Sequence, residues 1–159
     1  MNSEVRKTVG FIGFPNTGKT TIFNHFGGCD ACVGNWTGVT ASCQKAASSN
    51  QTTYLDLPGC YYLPAPSSKN QHAASIQSVH NALFKEKIDV WVHVIDARYL
   101  KQQLSMTLSL IELNKNIVIA LNHMDQANTA QVEIDINKLS NILNLPVVGL
   151  SAKFGMGTR

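Results

Sequence analysis

The chain has 159 residues, of which 44% are hydrophobic and 14% are charged, so one folded domain with a sizeable core is expected rather than a disordered chain. Its formal net charge of +3 comes from Lys and Arg residues scattered along the sequence, which argues against nucleic acid as a partner. The start, MNSEVRKTV, has no apolar signal core, and the longest apolar stretches, 90–95 and 117–121, fall far short of the roughly 20 residues that span a bilayer. A cytosolic domain with reduced thiols is therefore expected.

Apolar residues follow an alternating pattern of strands and helices along the chain. Strands are predicted at 7–13, 40–47, 52–57, 90–95, 117–121 and 146–150, with SSNQ as a hairpin turn between the second and third. Amphipathic helices are predicted at 18–26, 76–83, 100–111 and 136–143, the last capped by Asp135. Most of these strands are apolar on both faces. The pattern predicts one α/β domain, with helices on both faces of a six-stranded, mostly parallel sheet that contains one antiparallel strand.

Two connections, 27–39 and 58–68, are too long to be simple turns, and we expect both to be functional loops. The stripe formed by Leu100, Leu104, Leu108 and Ile111 is expected to face the core rather than a membrane. In sheets of this kind, ligands bind at the carboxyl ends of the strands.

The segment GFPNTGKT at 13–20 lies between the first strand and the first helix and matches the phosphate-binding motif G-x-x-x-x-G-K-[ST] without a mismatch. Gly13 and Gly18 would let successive backbone N–H groups point into one concavity, to which the helix adds its positive dipole end. Lys19 would reach the terminal phosphates of a nucleotide, and the Thr20 hydroxyl would be a ligand of Mg²⁺. The alternative, a chance Gly-rich turn, is disfavoured by the strand–loop–helix context.

The segment Asp56-Leu57-Pro58-Gly59 stands at the end of a predicted strand. Asp56 would hold Mg²⁺ through water, and the N–H of Gly59 would approach the terminal phosphate because no side chain blocks it.

Two further segments follow buried strands. In Asn122-His123-Met124-Asp125, the Asp125 carboxylate could accept hydrogen bonds from N1 and N2 of guanine, which adenine cannot supply, and Asn122 would brace the loop. The backbone N–H groups of 151–153, Ser-Ala-Lys, could donate to the guanine O6. Each signal is weak alone, and their order and spacing make them persuasive.

In this order, the segments resemble a P-loop GTPase domain of the Ras-like class, and more narrowly the cytoplasmic G domain of the FeoB ferrous-iron transport family. The narrower match rests on GFPNTGKT at 13–20, VGNWTGVT at 33–40, DLPGCYYL at 56–63, LSMTLSLIEL at 104–113, ALNHMD at 120–125 and SAKFGMG at 151–157. The resemblance covers essentially the whole chain.

The resemblance implies GTP or GDP as the bound nucleotide, with a set of contacting residues: Gly13, Pro15, Asn16, Thr17, Gly18, Lys19, Thr20, Thr21, Asp56, Gly59, Asn122, His123, Asp125, Ser151, Ala152 and Lys153. It also implies that slow hydrolysis of GTP depends on Asn16, Lys19, Thr40 and Gly59.

The resemblance also implies two cations. Thr20, Thr40 and Asp56 would hold Mg²⁺, with Thr37 as a rival to Thr40 for the first-switch threonine. Asn16 is similar to the asparagine that binds K⁺ in potassium-stimulated GTPases, and Gly34 and Trp36 would supply carbonyl ligands. K⁺ would then neutralise charge as an arginine finger does elsewhere.

The chain departs from the family pattern at several positions. Cys60 stands where many Ras-like proteins carry a water-positioning glutamine, so slow turnover is expected. His123 replaces a lysine, Thr37 replaces a proline, and SSKNQHAAS at 67–75 lacks the usual acidic pair.

The four cysteines raise the question of a metal site. Cys29 and Cys32 have C-x-x-C spacing, with Cys43, Cys60 and His25 elsewhere, but a second close pair is missing and ordinary thiols are favoured. His72, His80 and His93 are interpreted as surface or strand residues.

Three functions remain open from the sequence. The favoured one is a GTP-hydrolysing switch that regulates or gates ferrous-iron transport, on the cytoplasmic side of a bacterial inner membrane. Its expected partner is a membrane channel domain of the same polypeptide, and a homo-oligomer is compatible with this interpretation. The alternatives are a potassium-dependent GTPase acting on RNA or ribosomes and a nucleotide switch that binds without useful hydrolysis.

Overall fold

The computed structural model describes residues 7–27, 34–35, 44–47, 52–66 and 74–157. The strands are β1 (Lys7–Ile12), β2 (Gly34–Asn35), β3 (Gln44–Ala47), β4 (Thr52–Asp56), β5 (Val90–Asp96), β6 (Ile117–Asn122) and β7 (Val147–Gly149). The helices are α1 (Lys19–Gly27), α2 (Ala74–Phe84), α3 (Leu100–Glu112), α4 (Met124–Thr129) and α5 (Ile136–Leu143). Two short 3₁₀ helices cover Ala97–Tyr99 and Ala152–Phe154.

The strands form one sheet in the order β2-β3-β4-β1-β5-β6-β7. β4, β1, β5, β6 and β7 are parallel, with Phe11 of β1 opposite Val92 of β5. β3 pairs antiparallel with β4, and β2 pairs antiparallel with β3. The predicted six-stranded, mostly parallel sheet with one antiparallel strand is confirmed. The two-residue strand β2 extends its edge within a segment for which the sequence predicts a loop.

Helices cover both faces of the sheet because successive strand residues point to opposite sides. Ile12 faces α2 and α3, in a core that includes Leu83, Trp91 and Leu110. Its neighbour Phe11 faces α1, in a second core that includes Phe23, Val94 and Leu150.

The buried face of α3 differs from the predicted one. Its buried residues are Gln103, Met106, Thr107 and Leu110. Leu108 is 52% exposed and Ile111 is 37% exposed, so the expectation that the whole leucine stripe is core is wrong. Gln103 accepts a hydrogen bond from the Asp96 N–H, and Thr107 bonds to His93, so polar residues occupy the inner face. Among the described residues, no helix has the length and apolar character needed to cross a membrane.

One further element and one histidine also differ from expectation. The helix α4 lies in a stretch to which the sequence pattern assigns no element. His80 is neither a surface nor a strand residue, because it lies in α2 with 8% exposure and its Nε2 is 3.3 Å from the Pro66 carbonyl oxygen.

Candidate functional site

The segments singled out from the sequence meet at the carboxyl edge of the parallel strands. Residues 13–18 follow β1, residues 57–60 follow β4, residues 123–125 follow β6, and residues 151–153 come after β7. Because these strands are parallel neighbours, their ends bring segments that are far apart in sequence to one edge. Hydrogen bonds described below join all four segments.

The phosphate-binding loop has a strained backbone that its residue types permit. Gly18 has φ of +88°, and a Cβ atom there would lie 2.2 Å from Asn122 Nδ2, so glycine is required. Asn16 has φ of +62°, a left-handed conformation that asparagine tolerates better than most residues. The Thr17 hydroxyl donates to the Phe14 carbonyl at 3.0 Å and closes the loop.

Lys19 begins α1 and is only 6% exposed. Its Nζ donates to the Phe14 carbonyl oxygen at 3.0 Å, so the ammonium lies against the loop rather than extending into solvent. Burial lowers the pKa of Lys19, although the negative charge of the nearby Asp56 carboxylate acts in the opposite direction. A buried cation favours an anionic ligand, because the opposite charge offsets the cost of burying the ammonium.

An open cleft of about 400 Å³ lies beside this loop. It is lined by Asn16, Gly18, Lys19, Thr20, Thr21 and His123. The cleft therefore joins the phosphate-binding loop and the start of α1 to the segment predicted to recognise the base.

Thr20 and Asp56, two of the three predicted Mg²⁺ ligands, lie together. The Thr20 hydroxyl donates to Asp56 Oδ2 at 2.5 Å, and Asp56 Oδ1 is buried with no hydrogen-bond partner among the described residues. Burial raises the pKa of Asp56 despite the hydrogen bond from Thr20 and the charge of Lys19. An unpaired carboxylate oxygen beside a hydroxyl suits a hard divalent cation, since oxygen ligands are what Mg²⁺ prefers. The residues present therefore fit Mg²⁺.

The segment after β4 packs directly onto the phosphate-binding loop. A Cβ atom on Gly59 would lie 2.8 Å from both the N and the Cα of Pro15, so only glycine fits there. The Cys60 N–H donates to the Gly13 carbonyl at 3.2 Å. The Cys60 thiol is buried, and burial raises its pKa to about 11. The thiol is therefore neutral near pH 7 and cannot act as a base.

Asn122, at the end of β6, joins three segments. Its Nδ2 donates to the Thr17 carbonyl at 2.9 Å, and its Oδ1 accepts from the Ala152 N–H at 2.9 Å. The side chain is 1% exposed, so both bonds are protected from water. The bracing role predicted for Asn122 thus corresponds to bonds to the phosphate-binding loop and to residues 151–153.

Asp125 and Ser151 form a second link, at the end of the site that the sequence predicts to hold the base. The Ser151 hydroxyl donates to Asp125 Oδ1 at 2.6 Å and accepts from the Asp125 N–H at 3.2 Å. The hydrogen bond from Ser151 is the main cause of the lowered pKa of Asp125. The carboxylate is ionised at neutral pH and suited to accept N–H groups from a ligand. His123, just before α4, has φ of +62° and lines the cleft.

Two features of this edge are not assigned to the site by the sequence. His25, in the last turn of α1, places its Nε2 2.7 Å from the Ala152 carbonyl oxygen. Asp96, at the end of β5, pairs with Arg98 at 2.6 Å. The His25 contact joins residues 127 positions apart, and no local sequence pattern signals such a pair.

Several residues that the sequence analysis discusses as candidate ligands or site residues, or as surface residues, lie outside the described part of the chain: Cys29, Cys32, Trp36, Thr37, Thr40, Cys43 and His72. Gly34 is described, and it pairs with Lys45 in the edge of the sheet. Among the described residues, no group of three or more His, Cys, Asp or Glu side chains could hold a metal ion.

Comparison with known proteins identifies relatives. The sequence model of the family described as "Ferrous iron transport protein B" matches residues 7–159. The Fe(2+) transporter FeoB of Salmonella typhimurium is 40% identical over 153 residues, which cover 94% of this chain and 20% of that transporter. The Fe(2+) transporter FeoB of Escherichia coli strain K12 is 38% identical over 153 residues, with the same two coverages. The chain thus spans about a fifth of the length of these relatives.

Solved structures are similar over nearly the whole chain. The FeoB G-domain from Methanococcus jannaschii is 34% identical with a TM-score of 0.74, covering 96% of this chain and 90% of that one. The cytosolic domain of L. pneumophila FeoB is 34% identical with a TM-score of 0.84, and the match covers 95% of this chain and 65% of that one. A point mutant of NFeoB from S. thermophilus, solved with GDP, is 33% identical with a TM-score of 0.82. The match covers 96% of this chain and 58% of that one. This chain therefore belongs to the ferrous iron transport protein B (FeoB) family, and it corresponds to the part known there as the G domain.

Proposed function

We propose that this chain is a GTP-binding and GTP-hydrolysing switch domain that regulates or gates ferrous-iron transport. In this proposal it belongs to a longer polypeptide with a membrane channel domain and works on the cytoplasmic side of a bacterial inner membrane. The observation that carries the proposal is the Asn122 side chain, whose two hydrogen bonds join the phosphate-binding loop to residues 151–153. A phosphate site and a base site are thereby held at a fixed separation.

Guanine is the base that this arrangement supports. Asp125 presents an ionised carboxylate held by Ser151, and a carboxylate can accept from both N1–H and N2–H of guanine. Adenine offers no such pair of donors, so its binding would leave the carboxylate unmatched. Similar NFeoB mutants from S. thermophilus have been solved with GDP, with GMPPNP and with GDP·AlF4⁻.

Mg²⁺ would be held by Thr20 and Asp56, with Thr40 as a third ligand. Bound there, it would neutralise charge on the β- and γ-phosphates as the terminal phosphoryl group leaves. The protein groups prepare this site by burying Asp56 Oδ1 without a partner among the described residues and by holding the Thr20 hydroxyl against Oδ2.

Hydrolysis would rely on positioning rather than on a protein base. Lys19 would turn from the Phe14 carbonyl toward the terminal phosphates, and the Gly59 N–H would approach the γ-phosphate because glycine alone fits against Pro15. Cys60 is neutral and buried, so it would not activate the attacking water. Slow turnover follows from this arrangement.

K⁺ would supply the remaining charge, held by Asn16 and by the carbonyls of Gly34 and Trp36. Asn16 is exposed at the cleft with a left-handed backbone, so its side chain is available to a ligand.

The neutral Cys60 thiol also favours a second candidate function, a switch that binds GTP without useful hydrolysis.

GTP turnover in potassium and sodium buffers separates these candidates. With Mg²⁺ present, we expect wild-type hydrolysis to be at least about tenfold faster in K⁺ than in Na⁺, since preorganised charge at a phosphoryl group is worth that much or more. Asn16→Ala should remove the difference. Release of inorganic phosphate under saturating GTP provides the measurement.

Asn137→Ala is the matched control, because Asn137 is an exposed asparagine on α5. It should keep the wild-type response to K⁺. Equal wild-type rates in the two salts would remove Asn16 from catalysis, and GTP binding without any turnover would favour the binding-only switch.

A further inference from the structure

His25 is a histidine outside every recognised motif that contacts the base end of the site. It lies in the last turn of α1, and its Nε2 is 2.7 Å from the Ala152 carbonyl oxygen. A carbonyl oxygen only accepts hydrogen bonds, so the His25 Nε2 must carry the proton. The ring is therefore a donor that ties the end of α1 to residues 151–153.

Both backbone polar groups of Ala152 are bonded to side chains. The N–H donates to Asn122 at 2.9 Å, and the carbonyl accepts from His25 at 2.7 Å. The carbonyl also accepts from the Gly155 N–H at 3.1 Å, which closes the short 3₁₀ helix. Asn122 is itself fixed to the Thr17 carbonyl at 2.9 Å. A chain of hydrogen bonds thus runs from the phosphate-binding loop, through residues 151–153, to the end of α1.

α1 connects the two ends of the site. It begins at Lys19 and Thr20, beside the phosphate-binding loop, and His25 lies one residue before the exposed Phe26 near its other end. The helix contributes Ile22 and Phe23 to the second core, so its middle is anchored. The His25 donor therefore ties residues 151–153 to the helix that begins at the phosphate-binding loop.

We propose that His25 is a positioning residue that holds residues 151–153 against the guanine base and thereby sets the lifetime of the bound nucleotide. This inference rests on the proposed function, because it requires guanine to bind at Asp125 and residues 151–153. His25 does not touch the nucleotide in this proposal and acts through the Ala152 carbonyl alone.

The test is the rate at which a fluorescent GDP, mant-GDP, leaves the 159-residue protein after a chase with excess GDP. We expect His25→Ala to release it about threefold to tenfold faster than wild type, since one hydrogen bond is lost while that from Gly155 remains. His25 is exposed at the surface, so its replacement by alanine should leave the fold intact.

Three controls separate the hydrogen bond from general damage. His25→Gln retains an N–H donor at a similar reach and should release mant-GDP at close to the wild-type rate. Asn24→Ala removes a neighbouring exposed side chain on α1 and should have no effect. Binding of Mg²⁺-pyrophosphate, measured by calorimetry, should be the same for wild type and His25→Ala, since this ligand has no base.

Each other outcome overturns the inference. Unchanged release of mant-GDP from His25→Ala would show that His25 does not position residues 151–153. Equally fast release from His25→Gln would exclude the hydrogen bond as the cause, and a matching loss of pyrophosphate affinity would indicate damage to the phosphate site. Failure of the wild type to bind mant-GDP would instead refute the proposed function.

Discussion

His93 is a buried histidine whose surroundings prevent it from becoming charged. It lies on β5, fully buried between Ile12 and Ile119 of the adjacent strands. Its Nδ1 is 2.9 Å from the Thr107 hydroxyl, and its Nε2 is buried with no partner among the described residues. Burial, with the positive charge of Lys19 as a smaller cause, lowers the pKa of His93 to about 3. The ring is thus neutral in the folded protein.

This neutrality predicts a loss of stability in acid. The folded-state pKa of about 3 lies below the ordinary value of 6.5, so the unfolded chain binds the proton first as the pH falls. The contribution of His93 is fully present above about pH 6.5 and is lost progressively toward pH 3, at about 1.4 kcal/mol per pH unit. Between pH 7 and pH 5, we expect the wild type to lose about 2 kcal/mol of unfolding free energy through this residue.

Urea unfolding at both pH values, for the wild type and for the double variant His93→Leu/Thr107→Val, measures this effect. The second substitution removes the hydroxyl that would otherwise lose its partner. Between pH 7 and pH 5, the unfolding free energy of the double variant should fall by about 2 kcal/mol less than that of the wild type. An equal pH dependence in the two proteins would contradict the assignment.

At the scale of single elements, α3 shows how a helix can bury a polar face. Gln103 and Thr107 are 5% and 0% exposed, and each bonds to a group of β5 or its end. Because these bonds are satisfied, the polar side chains are stable in the interior. The apolar residues Leu108 and Ile111 turn outward as a result, although Leu100 and Leu104 still pack against the core.

Two lysine substitutions on α3 distinguish the observed face from the predicted one. Leu108→Lys should change the free energy of unfolding by about 0.5 kcal/mol or less, because the position is 52% exposed. Met106→Lys should cost about 3 kcal/mol or more, because it buries a charge at a position that is 2% exposed. Urea unfolding measures both, and equal losses for the two variants would show that the face is wrongly assigned.

At the scale of the whole molecule, the candidate site is a product of the sheet topology. Thr17, Asn122 and Ala152 come from three distant segments, and two hydrogen bonds of 2.9 Å join them. A ligand that bridges these segments should stabilise the whole fold, since binding to the folded state alone shifts the unfolding equilibrium.

Thermal unfolding with nucleotides tests this coupling and the base preference together. For the wild type, GDP at about 100 times its dissociation constant should increase the free energy of unfolding by about 2.7 kcal/mol. The unfolding temperature should then rise by several degrees. Asp125→Asn should lose this response and gain one to xanthosine diphosphate, because the amide can donate to the xanthine O2 while still accepting from N1–H.

Glu133→Gln is the matched control, since it removes one exposed carboxylate near the same helix. It should respond to GDP as the wild type does. A variant at Asp125 that kept its full response to GDP would place the base elsewhere.

The sequence by itself determined six of the seven strands and four of the five α-helices of the described chain, the mostly parallel sheet, and the four segments at its carboxyl edge. These follow from apolar periodicity and from glycines at 13, 18 and 59, which are local properties of the chain. The buried face of α3 could not be predicted from the same signal, because the groups that bond to Gln103 and Thr107 belong to the strand β5.

Only the tertiary structure decided which side chains hold the site together. Asn122 could be predicted to brace its own loop, but its bonds to Thr17 and Ala152 appear only when β1, β6 and β7 lie in one sheet. The same is true of His25, which reaches Ala152 across 127 positions. A local pattern records what a residue can do, whereas its partner depends on which distant segments the fold brings within hydrogen-bonding distance.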